Sequence, residues 1–122
     1  MGLLYFADGN GANLTKEAYV VDPTSLACVV PVTTTTTAAY FNRTATTRDK
    51  IVFTHDDKTT TSGHRCREIA FAIARAANSS LSEGTMIDMA DLDNSKFYWN
   101  LSFITGLVVH LNTSESNTTI IR

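Results

Sequence analysis

The 122 residues carry a formal charge of −2, a length that makes one β-rich domain over 1–122 with a modest core and leaves too little chain for two. Lys and Arg are interspersed with Asp and Glu, so no basic stripe forms for a phosphate backbone, and nucleic acid is excluded as the main partner. No segment reaches the ~20 apolar residues of a membrane span, and Met1–Phe6 lacks the basic start and apolar length of a signal peptide. Membrane partners are excluded on that ground, and synthesis is expected in the cytoplasm.

Leu3 to Ala7 predicts an opening strand, closed by a turn at Asp8, Gly9, Asn10 and Gly11, whose residues tolerate positive φ. Ala18 to Val21 predicts a second strand, stopped by Asp22 and Pro23. Leu26 to Val30 is a third, which Pro31 ends or kinks, marking an edge or a bulge. The run Thr33 to Thr37 continues into Ala38, Ala39, Tyr40 and Phe41. Five β-branched residues together disfavour a helix and fit a pleated surface, so Val32 to Asn42 is expected to be the longest strand. Hydroxyls on both of its faces suit a surface or interface strand, which makes Thr33, Thr35 and Thr37 candidate contact residues. Lys50 to Thr54 is a further strand, with Ile51 and Phe53 facing away from Val52, and it is expected to pair with the Thr-rich strand.

Ser62 to Asn78 predicts an amphipathic helix. Cys66, Ile69, Ala70, Ile73, Ala76 and Ala77 recur along one stripe, Ser62 caps the start, and Asn78 with Ser79 and Ser80 stops it. Arg65, Glu68, Phe71 and Arg75 fall on the opposite side. Phe71 is an aromatic off the buried stripe and so an interface candidate. Thr85 to Met89 predicts a strand, Asp91 to Ser95 a turn or short helical turn, and Ile104 to Leu111 a last strand with Gly106 at a bulge or close approach. The tail 113–122 is polar but ends in Ile120 and Ile121, which points to docking on its own subunit or on a neighbour. The fold class that follows is α+β: a mainly antiparallel β-sheet or sandwich with one amphipathic helix packed on one face.

Several residues invite a chemical reading. His55, Asp56 and Asp57, with His64 nearby, carry the groups of a metal or acid–base site, but their spacing fits no ligand pattern, and a solvated turn after a strand is preferred. Asp91, Asp93 and Ser95 echo the start of a calcium loop, yet Lys96 stands where Gly is needed and Ser102 where Glu is needed. His64 and Cys66, read as i, i+2 on a helix, point to different faces, which places Cys66 in the core rather than beside a base. Phe97, Tyr98 and Trp99 are read as core plus rim, because the cations that single-strand binders place around such aromatics are missing. Cys28 and Cys66 are expected to stay reduced. The Asn-x-Ser/Thr triplets at Asn13, Asn42, Asn78, Asn100, Asn112 and Asn117 carry no weight without secretion. No catalytic, cofactor-binding or metal residue is therefore assigned, and no enzyme activity is expected.

The layout resembles that of small virion-associated proteins of tailed phages of marine bacteria. The resemblance rests on Tyr5-Phe6-Ala7-Asp8, the Thr-rich strand ending in Tyr40-Phe41, and His55-Asp56-Asp57 leading to Thr59-Thr60-Thr61-Ser62-Gly63-His64-Arg65-Cys66. The Ala-rich helix and Ile104-Thr105-Gly106-Leu107 complete it. It implies a non-enzymatic structural role similar to that of capsid decoration, or cement, proteins, in a virion assembled in the host cytoplasm. The implied partners are further copies, as in a trimer, and the major capsid protein. A tail or tube component and a small ligand-binding module are the alternatives. The contact residues expected from the chain itself are Thr33, Thr35, Thr37, Phe71, Ile120 and Ile121.

Overall fold

The computed structural model describes residues 3–7, 18–57, 59–60, 63–78 and 86–113. The turn expected at Asp8 to Gly11, the Ser62 cap, the start of a strand at Thr85, and Ile120 and Ile121 lie outside the described residues. The fold is α+β and mainly antiparallel. One four-stranded sheet has the order β2-β1-β8-β9, with β1 at Leu3–Ala7, β2 at Ala18–Val21, β8 at Met86–Asp91 and β9 at Lys96–Phe97. The other has the order β10-β5-β4-β3, with β3 at Leu26–Thr33, β4 at Thr36–Asn42, β5 at Arg48–Thr54 and β10 at Gly106–Thr113. A two-stranded ribbon, β6 (Thr59–Thr60) and β7 (Gly63–His64), leads into helix α1 at Arg65–Ala77.

Period-two patterning puts both sheets on one core. Leu4 and Phe6 of β1, Ala39 and Phe41 of β4, Ile51 and Phe53 of β5, and Leu107 and Val109 of β10 are all buried in a single cluster. Phe6 lies between the sheets, with its ring 6.2 Å from that of Phe41 and 5.8 Å from that of Phe53. The helix adds Ile69, Ala72, Ile73 and Ala76 to the same cluster. Ala72 thus joins the expected stripe, while Cys66, Ala70 and Ala77 are only half-buried. Asn78 closes the helix as expected, its side-chain amide and backbone N–H both donating to the Ala74 carbonyl.

The structure corrects three expectations. The longest strand does not run from Val32 to Asn42, because the Thr run is a hairpin: β3 continues through Pro31 to Thr33, and Thr34 and Thr35 form the turn. The cause is local. The Thr33 hydroxyl accepts the Thr35 N–H at 3.2 Å and bonds the Thr36 hydroxyl at 2.7 Å, so side chains close the turn in place of Gly or Asn. Pro31 does sit on an edge strand, beside a register shift. Thr37 is fully buried, which removes it from the exposed contact residues. The helix begins at Arg65, three residues late, because Gly63 and His64 pair with Thr60 and Thr59. Among the described strands one ladder, β1 with β8, is parallel, and the sheets are otherwise antiparallel, as expected. The β4–β5 pairing and the opposed faces of Ile51 and Val52 are as expected. Gly106 is a close approach: a Cβ there would meet the Thr54 side chain at 3.2 Å.

Candidate functional site

The β3–β4 hairpin, the chain after β5 and the start of α1 line an open cavity of about 430 Å³. His55 enters it because the β5 ladder continues one residue further, with the His55 N–H donating to the Thr35 carbonyl at 2.8 Å. That bond draws the imidazole inside, leaving it 5% exposed, which corrects the expected solvated turn; Asp56 and Asp57 do remain outside. A carbonyl only accepts, so His55 Nδ1 carries hydrogen and donates to the Asp56 oxygen at 2.7 Å. In the neutral ring, Nε2 then accepts from the Thr37 hydroxyl at 2.8 Å. The ring edge also meets Phe103, 6.1 Å away.

Half-buried Cys66 and exposed His64 both line the cavity; His64 belongs to β7 and not to the helix, so the two do not diverge as their spacing implied. Burial pushes the Cys66 thiol up, and a hydrogen bond with Thr37 pulls it partly back. Both imidazole nitrogens of His55 are engaged, and the thiol is held in its protonated form. The cavity therefore offers walls and hydrogen bonds more readily than an activated nucleophile. Among the described residues no group of three His, Cys, Asp or Glu is placed to hold a metal ion. Replacing Thr37 with Val keeps the shape but leaves Nε2 buried without its donor. Thr37→Val is expected to cost about 1–3 kcal/mol, and Thr37→Ser much less, when the urea midpoints are compared.

Arg65 forms the wall beside the cavity, where the sequence placed it in solvent. Its guanidinium donates to Asp56 at 2.8 Å and to Glu68 at 2.7 Å and lies 4.2 Å from the Phe103 ring centre. Asp56 is thus tied to the helix.

A second feature lies on the outer face of the helix. Arg67, Phe71 and Arg75 follow one another at i, i+4 and i+8 and are exposed, Phe71 by 53%. The Arg75 guanidinium sits 4.9 Å from the ring centre of Trp99, which is itself 51% exposed. Trp99 has φ 51, a left-handed conformation unusual for a bulky residue. It is fixed on both sides, by Tyr98 N–H donating to the Met89 carbonyl and by Leu101 N–H donating to the Tyr98 carbonyl. Phe97 and Tyr98 pack against the core, so core plus rim describes the aromatic triplet. The structure brings Phe71 into one patch with Arg75 and Trp99, neither of which was among the expected interface residues; the available signal for Trp99 was the aromatic triplet, read as core plus rim. Thr33 and Thr35 lie exposed at the hairpin tip, away from Phe71 in the chain.

Comparison with protein-family models, with curated proteins and with solved structures gives no match. Among the described residues no helix is long and apolar enough to cross a membrane.

Proposed function

We propose that this chain is a non-enzymatic structural protein of a tailed-phage particle, an oligomeric capsid decoration protein that braces neighbouring shell subunits. The observation that carries the reading is the Phe71–Arg75–Trp99 patch, two half-exposed aromatic rings and a guanidinium held in place by the fold. Trp, Phe and Arg are enriched where protein contacts concentrate their binding energy. Holding a bulky residue at positive φ costs conformational energy, which the fold spends to display an indole. Thr33 and Thr35 at the hairpin tip add polar contacts, and Ile120 and Ile121 remain contact residues on the strength of the sequence. The partners are further copies, as in a trimer, and the major capsid protein; the protein resides in the virion after synthesis in the host cytoplasm. A protein that binds the assembled shell but not free subunits stabilises the shell by mass action, by about 2.7 kcal/mol per site at a hundredfold excess over Kd.

The test is co-sedimentation of the purified protein with empty shells, together with light scattering of the protein alone. Saturable binding, and shells that survive hotter or more dilute conditions, are the expected results. Absence of binding would sink the decoration role, and binding to isolated tails instead would transfer the protein there. The cavity supports a second reading, a small ligand-binding module, since about 430 Å³ falls within the range of ligand sites. A thermal-shift screen with nucleotides and sugars separates the two: a silent screen leaves the structural role ahead.

A further inference from the structure

We infer that copies of this chain join head to tail, the Trp99 patch of one copy docking in the cavity of the next. This rests on the oligomeric role proposed above and names its contact. The patch protrudes: Trp99 and Phe71 are each about half exposed, with Arg75 against the indole and Arg67 a helical turn beyond Phe71. The cavity is its complement. Pro31 and Val32 give it an apolar wall, Val32 being 57% exposed, and its volume of about 430 Å³ accommodates an anchoring side chain.

The charges agree. Of the outward residues of α1, Arg67 and Arg75 are cations, and its one acidic residue, Glu68, is turned toward Arg65. The cavity carries the exposed carboxylate of Asp57, while the Arg65 guanidinium in its wall is already paired with Asp56 and Glu68. His64 also lines the mouth. Arg75 of one copy thus meets Asp57 of the next as Trp99 enters.

The geometry selects the symmetry. Cys66 in the cavity wall and Phe71 in the patch are five residues apart, about 140° around the helix at ~100° per residue. In a two-fold dimer both surfaces would have to face the same partner at once, which this separation disfavours. They make a heterologous contact, which closes as a ring when the rotation allows. A ring of this kind presents the same face of every copy to a shell.

The experiment uses the full chain and two variants at exposed positions. Trp99→Ala removes the anchor and leaves the cavity; Val32→Arg obstructs the cavity wall and repels Arg75 but leaves the anchor. Circular dichroism and urea midpoints confirm that both are folded. Light scattering is expected to give an oligomer for the natural chain and a monomer for each variant alone. An equimolar mixture should double the monomer mass, because one copy supplies the anchor and the other the cavity, giving a single good contact and no further growth. A natural chain that stays monomeric at all concentrations, a Trp99→Ala variant that keeps the full mass, or a mixture that stays monomeric would each overturn the inference. Failure of the natural oligomer to sediment with shells would overturn the decoration role and leave the head-to-tail contact standing. Shell binding by a natural oligomer that Trp99→Ala does not dissociate would do the reverse.

Discussion

Phe6→Ala is expected to lower the unfolding free energy by about 3–5 kcal/mol, the range for emptying a fully buried phenylalanine site. Phe6 has no exposure and is the ring through which β1 reaches both Phe41 and Phe53. Its removal loses the transfer energy of the ring and leaves a void bordered by two sheets, neither of which can close on it without breaking ladder hydrogen bonds. Against the ~5–15 kcal/mol that holds an ordinary domain together, this is a large fraction. With a urea slope of about 2 kcal/mol per molar, the midpoint should fall by roughly 2 M. Leu3→Ala on the same strand is the control: Leu3 faces outward and is 38% exposed, so its loss should cost well under that amount. Equal midpoints for the two variants would mean that β1 does not bridge the sheets in solution.

The strand at Leu3–Ala7 was legible in the residues, though not which of its side chains face the core, and so were β2, β5 with the opposed faces of Ile51 and Val52, most of the α1 stripe and the exposed position of Phe71. Each of these depends on spacing within one element. The Thr33–Thr37 hairpin was not legible, because the usual turn residues are absent and threonine hydroxyls supply the turn bonds from residues whose backbone preference is for strand. The burial of His55 was hidden for a related reason. Two aspartates after it imply solvent, whereas the deciding contact is with Thr35, a residue brought near only once the hairpin exists. The parallel β1–β8 ladder joins segments separated by most of the chain, a pairing that no local window contains. Trp99 illustrates the limit for the candidate site. Its placement in the patch depends on one left-handed backbone angle and on Arg75 of another element, and sequence spacing encodes neither.

Asp49→Ala is the second substitution with a large expected effect, and its pH dependence separates two causes. Asp49 is 5% exposed on the core side of β5. It accepts from the Tyr19 hydroxyl of β2 at 2.6 Å and from Arg43 Nε at 2.6 Å and Nη2 at 3.1 Å, joining the two sheets through polar groups. Removing one partner of a buried ion pair costs about 3–5 kcal/mol when the other charge is stranded. The Arg43 side chain is 42% exposed and can turn to water, so a loss of about 2–3 kcal/mol is expected here. Tyr19 responds to alkali. Burial first, then the hydrogen bond to Asp49 and the charge of Asp49, push its phenol well above the usual value near 10. Below about pH 10 both folded and unfolded chains keep the proton, and the contribution of Tyr19 is complete. Above it the unfolded chain releases the proton while the folded chain retains it, so stability falls as pH rises toward the folded value. Tyr19→Phe should abolish this part of the alkaline decline, seen as the difference in urea midpoint between the natural chain and the variant from about pH 8 to 11. Asp49→Ala should lower the midpoint at every pH yet leave part of that decline in place, because burial of the phenol is the largest single cause of its raised pKa and does not depend on the carboxylate. If Asp49→Ala flattened the profile as fully as Tyr19→Phe, the carboxylate would be the dominant cause and the order would be reversed.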